Sequence, residues 1–180
     1  MNYAVIKKND IANGPGVRVS LFVSGCRHRC PECFNREAWD FSYGAPYTDG
    51  VAAEILAAEN KEHITGLSFL GGEPFERENR NTLASLARAH REAYPQKTIW
   101  CYSGFTFEEL YADEGAHALL KEIDVLVDGR FERDKKDLSL LFRGSSNQRI
   151  LDVKKSLAEG KAVWLAGKWE RRVGSGNIME

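Results

Sequence analysis

Runs that read as strands alternate along this chain with runs that read as helices, and this alternation limits the fold more than any other feature. "VRVSLFV" (Val17 to Val23) is β-branched and apolar, the pattern of a buried strand. "DGVAAEILAAENK" (Asp49 to Lys61) has helical spacing, with Asp49 as the expected N-cap. "ITGLSFL" (Ile64 to Leu70) reads as the next strand. From Arg77 to Tyr94, the residues Leu83, Leu86, Ala87, His90 and Tyr94 recur at helical spacing. "KTIWCYS" (Lys97 to Ser103) and "IDVLVDG" (Ile123 to Gly129) are further strands, and Thr106 and Glu109 between them form the capping box of a short helix. "AVWLAG" (Ala162 to Gly167) is expected as a last strand.

This order implies βαβ units and a mainly parallel sheet, an α/β fold. Sites in such sheets gather at the carboxyl ends of the strands. Three segments rich in cysteine, glycine or acid stand at expected strand ends: the cysteine loop after Val23, "GGEP" after Leu70 and "DGR" after Val127. They are expected to share one pocket. A length of 180 residues suits one domain, 1–167, with a polar tail at 168–180 that is expected to fray.

"SGCRHRCPECFN" (Ser24 to Asn35) holds three of the four cysteines at C-x3-C-x2-C spacing: Cys26, Cys30 and Cys33. The net charge of −1 argues against a nucleic-acid partner and a membrane-surface partner alike. No apolar run approaches the roughly 20 residues of a membrane span. The N-terminal "MNYAVIKKND" is no secretory signal. A cytoplasmic location is therefore expected. Thiols stay reduced there, and clustered cysteines read as metal or redox sites.

Thiolates suit both iron–sulfur clusters and zinc. A structural zinc site closes with four ligands, often two C-x2-C pairs, and no second pair exists here. Cys101 lies apart, inside an apolar strand pattern, where it reads as a packed thiol. His28 sits within the loop, too tightly tethered to complete a tetrahedron with its neighbours. Three thiolates on a 4Fe-4S cube leave one iron open, as a catalytic site requires. The residues between the cysteines, Arg27, His28, Arg29 and Glu32, are polar, so apolar packing does not explain the segment. His63, His90 and His117 read as surface or helix residues, and Trp39 and Trp100 as core or pocket wall. No nucleophile, base or triad stands out, so no catalytic side chain is assigned.

The cysteine spacing, with Phe34 beside the third cysteine, resembles the motif of the radical S-adenosylmethionine superfamily. In "GGEP" (Gly71 to Pro74) the strand-end carbonyls and the Glu73 carboxylate could accept hydrogen bonds from an ammonium group, and the segment resembles that superfamily's element for the amino group of S-adenosylmethionine. "NGPGVR" (Asn13 to Arg18) is similar to the segment before the cysteines in activases of glycyl-radical enzymes. "RGSSNQ" (Arg143 to Gln148) is similar to a signature of the anaerobic ribonucleoside-triphosphate reductase-activating family. "LFVSGC", "YSGF" and "VLVDGRF" stand in that family's order, and the likeness covers residues 1–153.

The resemblance implies an open partial (β/α) barrel of the radical S-adenosylmethionine type, with a 4Fe-4S cluster on Cys26, Cys30 and Cys33. It implies S-adenosylmethionine on the fourth iron, bound through its amino and carboxylate groups, with Glu32, Cys33, Phe34, Gly72 and Glu73 at the cofactor. "DVLVDGRFE" (Asp124 to Glu132) keeps two readings: a buried strand with polar ends, or, by the likeness to related activases, Asp128 and Arg130 at the pocket mouth near the cofactor. Reductive cleavage of the cofactor would yield methionine and a 5′-deoxyadenosyl radical. That radical would take a hydrogen atom from a glycine of the partner, the large subunit of anaerobic ribonucleoside-triphosphate reductase. The electron would come from a one-electron donor such as flavodoxin. Two alternatives stay open: an activase of another glycyl-radical enzyme, of the pyruvate formate-lyase type, and a non-catalytic iron–sulfur or zinc module.

Overall fold

The structure is a computed structural model that describes residues 1–167; the expected tail at 168–180 lies outside the described residues. Seven strands form one mixed sheet in the order β3-β1-β2-β4-β5-β6-β7. They are β1 (Asn2–Asp10), β2 (Val17–Val23), β3 (Ala45–Pro46), β4 (Ile64–Gly71), β5 (Thr98–Tyr102), β6 (Val125–Asp128) and β7 (Arg149–Asp152). The helices are α1 (Asp49–Glu59), α2 (Arg80–Ala93), α3 (Phe107–Ala112), α4 (His117–Leu120) and α5 (Val153–Glu159).

The pairs β2–β4, β4–β5 and β5–β6 are parallel, as expected. The flanks are not: β1 pairs antiparallel with β2 and β3, and β7 with β6. The sheet is thus parallel only at its centre. Strands β1 and β7 hide in charged segments, "NYAVIKKND" and "RILD", where no long apolar run announces them. Another expectation fails at "AVWLAG". Trp164 makes a single antiparallel bridge to Leu151, and no strand forms.

Helix starts follow capping chemistry. Thr48, not Asp49, caps α1, its hydroxyl accepting from the Val51 N–H. The Thr106–Glu109 capping box opens α3 as expected. Helix α2 starts at Arg80, later than the apolar pattern suggested.

Alternation along the strands gives the sheet two different faces. Val19, Leu21, Leu67, Phe69, Ile99, Cys101 and Leu126 face one way and pack with Ile55, Leu83, Ala87 and Leu119 of the helices. Burying those side chains supplies most of the driving force for the fold. Trp100, Val125, Val127 and Ile150 occupy the other face, under Tyr102, Phe142 and Leu165. Among the described residues no α-helix packs on this second face; the loops 11–16 and 129–148 do.

Arg18 lies fully buried between the two arrangements. Its guanidinium donates to Ser68 Oγ at 2.7 Å, the Leu67 carbonyl at 2.7 Å and the Thr98 carbonyl at 2.6 Å. Burial pushes its pKa down to about 10. Ser68 Oγ in turn donates to the Asn13 carbonyl, so "NGPGVR" is pinned across β4 and β5. No helix among the described residues is long and apolar enough to cross a membrane.

Candidate active site

Four loops leave the carboxyl ends of β2, β4, β5 and β6 and meet over the loop-covered face. A cavity of about 540 Å³ lies among them, within the range of small-molecule sites. Cys26, Cys30 and Cys33 line it. Gly71, Gly72 and Glu73 form another wall, and Ser103 and Gly104 a third. Phe131, Leu138 and Phe142 close it from the loop after β6. The shared pocket expected from the strand ends is present.

Main-chain contacts hold the loops together. The Gly72 N–H donates to the Val23 carbonyl at 2.7 Å, and the Glu73 N–H to the Gly25 carbonyl at 2.8 Å. Asn79 clamps the same pair of loops, its amide donating to the carbonyls of Ser24 (2.9 Å) and Glu73 (3.0 Å). Arg27 turns outward onto Glu76 and Glu78, with its guanidinium 4.3 Å from the centre of the Phe41 ring. Gly71 takes φ +106°, a conformation that favours glycine. Gly72 is required for a different reason: a Cβ there would fall 2.6 Å from the Gly25 carbonyl oxygen.

The three thiols are free and half-buried. Burial pushes the Cys26 thiol up to about 11, with the Glu73 charge adding to the rise; backbone N–H groups of His28 and Arg29 act in the opposite sense. Burial also raises Cys30, against the pull of the Phe131 N–H and the Arg130 charge. Arg29 and Glu32 sit at φ +49° and +59°, so the loop is held in a left-handed form at two non-glycine residues.

Among the described residues, no three His, Cys, Asp or Glu side chains gather as a single-ion site would need. A 4Fe-4S cube takes each thiolate on a different iron, so thiols spread around a cavity suit it. The donor set is all sulfur on a partly apolar wall, which also fits the group. Tyr102 contributes a buried hydroxyl without a protein partner to the same cavity.

The expected thiols and cofactor residues line this cavity: Cys26, Cys30, Cys33, Glu32, Phe34, Gly72 and Glu73. Phe34 stands at its edge and is 88% exposed. Glu73 differs from expectation in one respect. Its carboxylate is buried, and Phe75, Ser103, Gly104 and His28 already occupy it. Asp128 and Arg130 do not line the thiol cavity but an adjoining groove. Asp128 is buried there, accepting from the Phe107 N–H and paired with Arg149, which places it in the scaffold.

Sequence reasoning missed Asn79 and the role of His28. Asn79 lies in a charged stretch without any pattern. The short tether that keeps His28 from closing a metal tetrahedron aims it at Glu73. His90 is in a helix as expected but is fully buried, with Nδ1 2.9 Å from Glu59.

A family described as a 4Fe-4S single cluster domain matches residues 12–151. A protein of Pasteurella multocida (strain Pm70) is 41% identical over 152 residues, covering 83% of this chain and 96% of that protein. One from enterobacteria phage T4 is 38% identical over 150 residues, covering 83% and 93%. One from Escherichia coli (strain K12) is 41% identical over 152 residues, covering 83% and 97%. All three bear the name anaerobic ribonucleoside-triphosphate reductase-activating protein. With three thiols lining one cavity and this likeness along most of its length, the chain belongs to the family of anaerobic ribonucleoside-triphosphate reductase-activating proteins.

Proposed function

We propose that this protein activates an anaerobic ribonucleoside-triphosphate reductase by generating a glycyl radical on the large subunit of that enzyme. The observation that carries the reading is the cavity shared by Cys26, Cys30, Cys33 and the GGEP turn, in a chain whose relatives are named as activating proteins of that reductase. The three cysteines hold a 4Fe-4S cluster, and S-adenosylmethionine binds beside them. When bound, the pair supplies reductive cleavage of a carbon–sulfur bond and a 5′-deoxyadenosyl radical able to take a hydrogen atom from glycine.

The protein's own part is binding, orientation and exclusion of water. Cys26, Cys30 and Cys33 would bind iron as thiolates; burial opposes loss of the proton at Cys26 and Cys30. Glu32 and Phe34 flank the cofactor from the cysteine loop. Gly72 allows the main chain close to it. Glu73 has its carboxylate positions filled by this chain, and its carbonyl accepts from Asn79 and Glu76, so other main-chain carbonyls of the GGEP turn are left to receive the ammonium group. Phe34 and Leu138 project at the cavity mouth, 88% and 89% exposed. Exposed apolar groups beside a cavity favour a protein substrate over a small one.

The sheet is read as an open partial (β/α) barrel of the radical S-adenosylmethionine type, formed by residues 1–167 as one domain. Among the described residues no strand continues the sheet beyond β3 or β7, and an open edge would give a protein loop access. The enzyme class is radical S-adenosylmethionine oxidoreductase, working in the cytoplasm with a one-electron donor such as flavodoxin and without nucleic acid or membrane.

The test is anaerobic reconstitution followed by mixing with candidate glycyl-radical enzymes, read by electron paramagnetic resonance. A glycyl radical on the ribonucleotide reductase is expected. A chain that binds zinc, assembles no cluster and never cleaves S-adenosylmethionine would overturn the reading. A radical on another glycyl-radical enzyme alone would change the partner.

A further inference from the structure

Glu73 stands where three loops meet. Its Oε1 accepts from the Phe75 N–H and the Ser103 hydroxyl, both at 2.9 Å. Its Oε2 accepts from the Gly104 N–H at 2.7 Å and faces His28 Nε2 at 3.0 Å. A carboxylate offers about four acceptor positions, and all are taken. Phe75 belongs to the GGEP loop itself, and Ser103 and Gly104 to the loop after β5. Among these partners only His28 comes from the cysteine loop.

His28 is built into this position. Its side chain is 5% exposed. Its ring meets Phe105 edge-on, with centroids 4.4 Å apart. A Cβ on Gly104 would fall 2.4 Å from His28 Cδ2, so the glycine makes room for the imidazole. His28 lies between Cys26 and Cys30, next to Arg29 with its left-handed backbone. Anchoring His28 therefore anchors the segment that carries both thiols.

We propose that His28 is a positioning residue that fastens the cysteine loop to Glu73, keeping the three thiols in register with the GGEP turn for S-adenosylmethionine. It acts through Glu73, on which its ring nitrogen is spent. The inference rests on the functional reading above. A network of this kind behaves like the outer partners of metal ligands, whose loss weakens binding about ten- to a hundredfold.

The test compares the reconstituted native protein with His28→Ala, His28→Gln, Gly104→Ala and the double variant Gly104→Ala/His28→Ala. Iron and sulfide content, equilibrium binding of S-adenosylmethionine to the oxidised protein, and the resonance line shape of the reduced cluster with and without S-adenosylmethionine are measured. His28→Ala is expected to assemble the cluster but to bind S-adenosylmethionine about tenfold more weakly, with a smaller line-shape change. His28→Gln, which retains an N–H donor, recovers part of both. Gly104→Ala harms binding only while His28 is present, so the double variant matches His28→Ala. That non-additivity is the signature of a shared contact.

Native affinity and line shape in His28→Ala would overturn the proposal. So would a double variant clearly worse than His28→Ala. If His28→Ala loses its cluster, the comparison of His28→Gln with Gly104→Ala still decides: equal loss in both counts against the hydrogen bond, and partial recovery in His28→Gln supports it. A native protein that assembles a cluster yet binds no S-adenosylmethionine overturns the functional reading itself.

Discussion

The Glu73 N–H donates to the Gly25 carbonyl at 2.8 Å, joining the GGEP turn to the cysteine loop main chain to main chain. Side chains decorate this contact, but the backbone makes it. The thiol cavity therefore depends on how closely two glycine-containing turns approach.

Gly72→Ala tests that approach. The added Cβ would lie 2.6 Å from the Gly25 carbonyl oxygen and 3.0 Å from that of Ala38, and neither main-chain atom can swing aside. A loss of about 1–3 kcal/mol in urea unfolding is expected. Cluster content on reconstitution should fall with it. Unchanged stability and iron content would show that the turns separate without cost.

The four cysteines should divide three to one. Cys26→Ala, Cys30→Ala and Cys33→Ala are each expected to abolish cluster assembly, measured as bound iron and sulfide. Cys101 is fully buried on the helix side of the sheet, so Cys101→Ala should keep the cluster and lose about 1 kcal/mol of stability through a small cavity. Loss of the cluster in Cys101→Ala with the fold intact would contradict this division.

Gln148 ties the ends of the loop after β6. Its side-chain oxygen accepts from the N–H groups of Gly144 (2.8 Å) and Ser145 (3.2 Å), and its amide donates to the Gly129 carbonyl (3.0 Å). Gln148→Ala is expected to speed hydrogen exchange across residues 130–147 by about tenfold or more, equivalent to losing one or two net hydrogen bonds. Cluster assembly should persist, while activation of the reductase declines. Native exchange rates in this loop would remove Gln148 from that role.

Glu59 and His90 form a fully buried pair away from the site. His90 Nε2 also faces the Lys97 carbonyl at 3.3 Å, so the ring links α1, α2 and the approach to β5. His90→Ala leaves Glu59 buried without that partner, and a loss of about 3–5 kcal/mol is expected in chemical denaturation. Replacing both residues by leucine should cost markedly less. Equal losses in the single and double variants would argue against the pairing.

Much of the site was legible because its signals are local. The C-x3-C-x2-C spacing, GGEP after a strand and the Thr106–Glu109 capping box each lie within a few residues of chain. The parallel centre was legible too, since strands buried on both faces carry near-continuous apolar runs. Strands β1 and β7 were not. β7 is an edge strand and β1 has only the two-residue β3 beyond it; both carry charged residues and draw their stability from a neighbour's hydrogen bonds. "AVWLAG" misled for the opposite reason: an apolar composition permits a strand, but only one bridge to Leu151 is available there.

The sequence by itself determined which chemistry this protein can hold, because ligand type and spacing are properties of the covalent chain. Three cysteines in one short loop, beside glycines that permit close approach, are present before any folding occurs. Only the tertiary structure decided how that loop is held. Glu73 reads in the sequence as an acceptor for a ligand, yet folding brings His28, Ser103 and Gly104 to it from distant segments and fills its lone pairs. For Asp128 the sequence leaves a buried strand end and a place at the pocket mouth both open, and folding draws it into a buried pair with Arg149. Such assignments rest on donors and acceptors that meet through the order of strands in the sheet, and no local pattern encodes that order.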